Sequence, residues 1–227
     1  MTETARPAFY ALAPGGWRDY VTLLHPPYTA WHLSYVAIGA AIAPRWRPGI
    51  LGLALLAFFL GMGVAAHALD ELRGRPLQTR IGARTLVALA AVSLAVAIAI
   101  GIGTAIHTSL GLLAFVAVGA FIAVAYNLEL FGGRLHGDPW FSLAWGALPV
   151  LATYVAASET LRVEAIAAAA GAALLSHAQR ILSTPVRKMR RQDGELTAVG
   201  RELERALRVL SAATVALAVA LVLVRVT

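Results

Sequence analysis

The chain has 227 residues, of which 59% are hydrophobic and only 14% are charged. This apolar fraction excludes an ordinary soluble globular protein and indicates a membrane protein with several spans. The sequence contains no cysteine, which excludes disulfides, thiolate metal sites and cysteine nucleophiles. Its net charge of +7 is explained by the positive-inside rule, so we expect membrane lipids as partners and no nucleic acid.

Residues 1–27 come first, and we interpret them as a cytoplasmic or interfacial segment without a signal peptide. They hold Pro14, Gly15 and Gly16 and no continuous apolar run. Trp17 and Tyr20 are typical of the aromatic belt at a membrane interface.

Seven apolar stretches follow in chain order, and they approach or exceed the roughly 20 residues of a transmembrane helix. They predict an all-α bundle of about seven membrane helices, which forms one transmembrane domain over residues 1–227. The predicted helices are 28–43, 49–71, 85–106, 110–131, 140–157, 161–183 and 207–226. Pro149 is expected to kink the fifth of them. Residues 186–206 alternate basic and acidic groups and are predicted as a cytoplasmic basic loop.

The basic residues divide unevenly between the two ends of this predicted bundle. Of the 19 Lys and Arg residues, 15 fall on the side of the N-terminus. The other four are Arg45, Arg47, Arg162 and Arg225. The positive-inside rule therefore places the N-terminus in the cytoplasm and the C-terminus outside. We expect an integral protein of a prokaryotic cell (inner) membrane.

Residues 67–77 lie where the second predicted helix gives way to an arginine-rich loop. Helical spacing puts His67, Asp70 and Glu71 at positions i, i+3 and i+4, on one face of the helix. Ionisable groups at the end of a membrane helix are costly to bury and therefore indicate a functional site. The alternative is that the two acids mark only the point where the helix meets water.

Other polar residues gather at the same predicted level, at the ends of the second, fourth and sixth helices. This pattern indicates an intramembrane pocket that opens to the cytoplasm. Carboxylates there suit a hard divalent cation such as Mg²⁺, and arginines suit phosphate oxygens.

Three sequence features resemble the UbiA-type superfamily of intramembrane prenyltransferases, over about residues 20–185. Residues 25–28, His-Pro-Pro-Tyr, with the later Gly39 resemble the first helix of that family. His67-Ala-Leu-Asp70 followed by Arg75-Pro76-Leu77 resembles its first aspartate-rich motif. Tyr126, Trp145-Gly146 and Pro149 resemble its fourth and fifth helices. The chain is similar to a divergent, shortened member of the superfamily.

This resemblance implies an enzyme that binds a prenyl diphosphate with Mg²⁺ and transfers the isoprenoid chain to an aromatic or lipid acceptor. It implies that Asp70 is a Mg²⁺ ligand and that Arg75 faces the pyrophosphate. The predicted catalytic residues are Asp70, Glu71 and His67, and the predicted metal ligands are Asp70, Glu71 and Glu129. The predicted diphosphate-binding residues are Arg75, Arg134, Arg180, Tyr126 and Asn127. Secondary candidates are His136, Asp138, His177 and Gln179.

Other interpretations of the same residues stay open. His67 stands where the motif has an aspartate, and residues 177–183 stand where a second acidic motif is expected. Six residues offer a mixed imidazole and carboxylate site for Zn²⁺, Fe or Mn²⁺ instead: His67, Asp70, Glu71, Glu129, His136 and His177. A third hypothesis is a non-catalytic relative that binds an isoprenoid or quinone-like lipid or a partner complex.

Several of these residues also have plain structural interpretations. Glu129 is a candidate partner of Arg134, and His177 is a candidate packing residue. The basic run 187–191 is typical of a topology signal or a contact with anionic lipids. His32 and His107 are isolated in the sequence and are interpreted as structural.

Overall fold

The computed structural model describes residues 6–192 and 194–227, and within these ranges it is all-helical without a β-strand. The helices are α1 (Trp17–Leu23), α2 (Pro26–Ile42), α3 (Pro48–Leu72), α4 (Ala83–His107), α5 (Leu112–Asn127), α6 (Asp138–Ser158), α7 (Val163–Gln192) and α8 (Ala198–Val226). A short 3₁₀ turn, Phe131–Gly133, lies between α5 and α6.

Five of these helices, α3, α4, α6, α7 and α8, are long and apolar enough to cross a membrane. Helices α2 and α5 are shorter, with 17 and 16 residues. Large apolar side chains such as Val92, Leu174 and Val224 are exposed on the outer faces, as expected for a protein surrounded by lipid. The predicted all-helical fold is therefore confirmed, with five helices that could cross a membrane, whereas the seven UbiA-type spans are not confirmed.

Helix α2 lies at the centre of the packing, between α6 and α8. Its Trp31 and Tyr35 are completely buried, and the Trp31 indole N–H donates a hydrogen bond to the Tyr35 hydroxyl. From α7, the Ser176 hydroxyl donates to the same oxygen over 3.3 Å. Because protein rather than lipid surrounds it, α2 can carry polar side chains such as His32 along its length.

Two glycines allow α6 to pack closely on its neighbours. A methyl group at Gly39 of α2 would collide with the carbonyl group of Val150. A methyl group at Gly146 would lie 2.7 Å from the Ala172 carbonyl oxygen of α7. Small residues at such crossings let membrane helices approach and gain van der Waals contact.

The two ends of the bundle carry different charge networks. At one end, Arg47 pairs with Glu159 over 2.6 Å, and Arg225 donates to the Ala43 carbonyl over 2.7 Å. At the other end, Arg180 pairs with Asp138 over 2.8 Å. The contacts agree with the predicted separation of basic residues, while the direction of insertion stays a prediction.

Residues 186–206 were predicted as a loop, but the structure shows that most of them are helical. Helix α7 continues through Pro185 to Gln192. An internal proline removes only one backbone hydrogen bond, and membrane helices tolerate this loss. Helix α8 begins at Ala198, where the Thr197 hydroxyl caps it by accepting from the Gly200 N–H. The fourth predicted helix instead ends early, at Asn127, since the backbone turns to positive φ at Glu129.

Replacement of Gly146 by alanine is expected to destabilise the α6–α7 contact by about 1–3 kcal/mol, because the new methyl group meets backbone atoms that cannot move aside cheaply. Gly171→Ala in α7 is the matched control, since nothing lies within 4 Å of a methyl group there. Unfolding in detergent measures both variants, and equal midpoints would contradict the close packing.

Candidate functional site

Six polar side chains meet at the end of the bundle where α2 begins and α3 ends. We call them the polar cluster: Tyr10, His25, Tyr28, His67, Asp70 and Arg187. They come from the N-terminal segment, the first turns of α2, the last turns of α3 and the extended part of α7. Elements far apart in sequence therefore build one site. The predicted second and sixth helices contribute to it, whereas Glu129, beyond the end of the fourth, pairs with Arg73 at the surface.

Two histidines form the middle of the cluster. The imidazole rings of His25 and His67 stack with centroids 4.1 Å apart and planes inclined by 21°. His67 Nδ1 donates to the Gly63 carbonyl over 3.0 Å, and His25 Nδ1 is hydrogen-bonded to the Tyr10 hydroxyl at 2.6 Å. His25 Nε2 is buried and has no hydrogen-bond partner in the described part of the chain.

The backbone around these side chains departs from regular α-helix. His25 adopts a left-handed conformation with φ 46°, which is uncommon for a residue with a side chain. In α3, the π-helical stretch Phe59–Ala66 ends directly before His67. In α6, a second π-helical stretch, Ser142–Ala147, contains Trp145. Such π-helical turns are frequent at functional sites, where they change the direction of the following side chains.

Arg187 and Asp70 are the charged members of the cluster. Arg187 lies within electrostatic range of Asp70, Tyr10, Tyr28 and Arg180. Over residues 6–192 and 194–227, neither Arg187 nor Asp70 has an ion pair within 4.0 Å or a direct hydrogen bond. The Arg187 guanidinium is therefore free to bind an anion.

A wall of aromatic rings borders the polar cluster. The Tyr126 ring lies 4.4 Å from His136 and 4.6 Å from Trp145, measured between centroids. Phe141 stacks on Trp145 at 5.5 Å, and the Arg180 guanidinium lies over Phe141 at 5.3 Å. The Tyr126 hydroxyl is buried and has no hydrogen-bond partner among the residues described. The wall therefore offers ring faces and one unpaired hydroxyl.

An apolar groove lies on the other side of this wall, between α3, α4, α5 and α6. It has a cavity volume of about 120 Å³, is partly open, and is lined by residues such as Met62, Phe115 and Leu148. Trp145 lines the groove and also belongs to the aromatic wall. Polar and apolar compartments thus meet at one residue.

The N-terminal segment covers the cluster. Phe9 and Tyr10 pack edge-to-face on Tyr28, with ring centroids at 6.4 and 5.6 Å. The Arg208 guanidinium of α8 lies over the Phe9 ring at 4.4 Å. The Leu12 N–H donates to the Thr22 hydroxyl over 3.0 Å, which ties the segment to α1.

Burial changes the protonation of the two groups that this segment brings together. Desolvation raises the pKa of the Tyr10 hydroxyl well above its ordinary value, and the neighbouring Tyr28 adds to the effect. Desolvation also lowers the pKa of His25 well below 6.5, with further contributions from His67, Arg187 and His32. Both side chains are therefore neutral at neutral pH.

Two predicted site residues instead hold the loop after α3. The Glu71 carboxylate is fully buried and accepts hydrogen bonds from the Leu77 N–H, the Thr79 N–H and the Thr79 hydroxyl at 2.8–2.9 Å. Arg75 donates to the Thr79 and Ile81 carbonyl oxygens. Arg75 therefore stabilises the loop, and the structure does not direct it at the cluster as the resemblance implies.

Other predicted residues lie at the margin of the cluster. Glu129 pairs with Arg73 over 3.3 Å at the surface rather than with Arg134, which is exposed. Asp138 holds Arg180 next to the aromatic wall. The other two predicted diphosphate-binding arginines are thus separated, since Arg180 lies at the aromatic wall and Arg134 is exposed.

The remaining predicted site residues also differ in whether they contact the aromatic wall or the polar interior. His136 packs on Tyr126, and its Nδ1 donates to the Tyr126 carbonyl over 2.9 Å. Gln179 is hydrogen-bonded through Oε1 to His32 Nε2 at 3.2 Å, so His32 belongs to the polar interior. His177 is half-buried on α7. Asn127 donates to the Ala123 carbonyl of its own helix.

The carboxylates predicted to hold Mg²⁺ do not converge. Asp70 lies in the cluster, Glu71 faces the loop, and Glu129 faces Arg73 at the surface. Within the described ranges, no group of three or more His, Asp or Glu residues is arranged to hold a metal ion. The predicted magnesium ligands and the mixed imidazole–carboxylate set therefore do not fit the arrangement of side chains.

The sequence interpretation missed four members or neighbours of the site: Tyr10, Tyr28, His32 and Arg187. Arg187 lies seven residues after Arg180, which is two helical turns on the same face of α7. That signal was hidden because Pro185 was interpreted as the end of the helix. No sequence signal indicated that Tyr10 folds back onto His25.

Comparison of the chain with known protein families, with curated proteins and with solved structures found no match. The UbiA-type resemblance therefore stays a prediction.

Replacement of Glu71 by glutamine is expected to destabilise the protein by about 1.5–3 kcal/mol, because an amide N–H₂ would face the donors that the carboxylate now accepts from. Glu129→Gln is the control, and its exposed pair with Arg73 should contribute less than about 1 kcal/mol. Unfolding midpoints in detergent measure the difference. Equal losses in the two variants would contradict the anchoring role of Glu71.

The depressed pKa of His25 makes a prediction about pH. The folded protein keeps His25 neutral while the unfolded chain binds a proton below pH 6.5, so the stability that this difference gives is complete above pH 6.5 and is lost as the pH falls toward the folded-state pKa. His25→Gln should therefore lose less thermal stability than the parent between about pH 7 and about pH 5. The exposed His107→Gln is the control variant. Parallel profiles for His25→Gln and the parent would contradict the burial of His25.

Proposed function

We propose that this membrane protein binds the phosphate-bearing head group of an isoprenoid lipid in the polar cluster. The observation that carries the proposal is the inward position of Arg187, whose guanidinium has no direct partner in the described chain and lies beside half-buried polar side chains at a membrane-helix end. A charged group held at that depth without a partner indicates a site for an oppositely charged ligand.

The chemistry of the cluster suits a phosphate. A guanidinium binds phosphate oxygens through two parallel N–H donors, and such charge-assisted hydrogen bonds are about twice as strong as neutral ones. The exposed Arg191 is also within electrostatic range of Asp70 and adds positive charge near this carboxylate. The neighbouring phenol of Tyr10 stays protonated and can donate to a phosphate if its bond to His25 reverses.

The aromatic wall suits the first part of an isoprenoid chain. Tyr126, Phe141 and Trp145 present ring faces and edges next to the cluster, where a chain leaving the phosphate would pass. The resemblance to UbiA-type enzymes is consistent with this class of lipid.

Prenyl transfer is a second candidate function, favoured by the position of the same rings. In that reaction the allylic C–O bond breaks, the diphosphate leaves with the electron pair, and an aromatic or lipid acceptor forms the new bond and loses a proton. Arg187 and Arg180 would stabilise the departing anion, and the rings of Tyr126 and Trp145 would stabilise the allylic cation.

Thermal unfolding of the detergent-solubilised protein with geranylgeranyl diphosphate tests the proposal. Stabilisation is expected with EDTA present, and the affinity should fall about tenfold or more in Arg187→Gln, since a charge-assisted hydrogen bond is lost. Lys188→Gln is the matched control, because Lys188 is the exposed neighbour on the same helix.

A second ligand distinguishes binding of the head group from binding of the isoprenoid chain. Geranylgeraniol lacks the diphosphate, and equal stabilisation by the alcohol would contradict recognition of the phosphate. Stabilisation that needs both Mg²⁺ and Asp70 would instead favour the metal-dependent mode that the resemblance implies. Release of diphosphate in the presence of an acceptor would establish the transfer reaction.

A further inference from the structure

The apolar groove contains one hydroxyl group that nothing in the fold explains. Thr153 of α6 lines the groove and is 1% exposed, and its Oγ1 atom has no hydrogen-bond partner among the described residues. A buried hydroxyl without a partner is unfavourable, so such a group calls for an explanation.

Other hydroxyls on the helices show how such a group is usually satisfied. Five of them donate to the carbonyl oxygen four residues earlier: Ser34, Thr104, Ser142, Ser158 and Thr214. Thr104 lines the same groove from α4 and is satisfied by Ile100 in this way. Thr153 has the same option on α6 and does not use it.

We infer that the groove is a binding site for an apolar molecule that carries an oxygen atom, and that Thr153 is the residue that hydrogen-bonds to this oxygen. The walls of the groove are otherwise apolar, with Phe58, Phe115 and Leu148 among them, which suits a ring or a hydrocarbon chain. The oxygen is a carbonyl, as in a quinone, or a hydroxyl, as in a long-chain alcohol.

The position of Thr153 makes this a different site from the polar cluster. Thr153 follows Trp145 by eight residues, which is about 12 Å along a helix. An oxygen at this depth is not the phosphate of the proposed head group. The inference therefore stands whether or not the polar cluster binds phosphate.

Fluorescence quenching provides the test, because quinones quench tryptophan and Trp145 lines the groove. The probe is menadione, and 2-methylnaphthalene serves as the matched ligand without carbonyl groups. The chain has five tryptophans. Trp145→Phe removes the one that reports on the groove, so the quenching that remains comes from the other four.

Thr153→Val removes the hydroxyl at nearly constant shape and should weaken menadione binding about three- to tenfold. Thr214→Val should leave binding unchanged, since Thr214 lies on α8 outside the lining of the groove and its hydroxyl already has a partner. Binding of 2-methylnaphthalene should not depend on Thr153. The ligand-free Thr153→Val protein should unfold at the same temperature as the parent or higher, because an unsatisfied hydroxyl is removed.

The competing outcomes are distinct. Affinities for menadione and geranylgeraniol that are both unchanged in Thr153→Val, an equal loss in Thr214→Val, or a lower unfolding temperature of the ligand-free Thr153→Val protein would overturn the inference. Geranylgeraniol tests whether the ligand oxygen can be a hydroxyl, and its binding is measured by displacement of a bound probe or by thermal shift. If only the affinity for geranylgeraniol falls in Thr153→Val, the site is supported and its ligand carries a hydroxyl. If neither menadione nor geranylgeraniol binds, the inference is overturned.

Discussion

The structure depends on how a membrane bundle accommodates charged and hydrogen-bonding groups away from water. Each such group must find a partner or carry a cost of several kcal/mol. This chain meets the requirement locally in most places. Glu71 is saturated by three donors from the loop that follows it, and Asp138 is paired with Arg180. The exceptions then stand out: Arg187 without a direct partner, and the unpaired atoms of His25, Tyr126, Thr153 and Arg225.

Apart from Arg225, which lies at the opposite end of the bundle, these exceptions fall in one region. His25 and Arg187 belong to the polar cluster, Tyr126 belongs to the wall beside it, and Thr153 lines the groove beyond that wall. The two π-helical stretches lie in the helices that build the same region. Unsatisfied groups and irregular backbone thus coincide, as expected where a protein gives up some stability for binding. A polar head and an apolar body can occupy adjoining compartments.

Much of the fold follows from apolar periodicity, and the helix ends were the least predictable part. Pro185 was interpreted as a helix end, yet α7 continues because the neighbouring helices support it. That error placed Arg187 in a surface loop. A common membrane level predicted the grouping of His67, Asp70, Glu129 and His136. His67 lies in the polar cluster with Asp70, and His136 packs on Tyr126, but Glu129 pairs with Arg73 at the surface. The contact between Tyr10 and His25 joins a segment without helical pattern to a left-handed residue, and no local rule predicts it.

The inward direction of Arg187 is the central claim, and cysteine labelling tests it most directly because the chain contains no cysteine. Arg187→Cys and Lys188→Cys are compared for their reaction with a membrane-impermeant maleimide in the detergent-solubilised protein. The account predicts rapid labelling at position 188 and much slower labelling at position 187. Equal rates at the two positions would show that this part of α7 faces solvent on both sides, and would contradict the account.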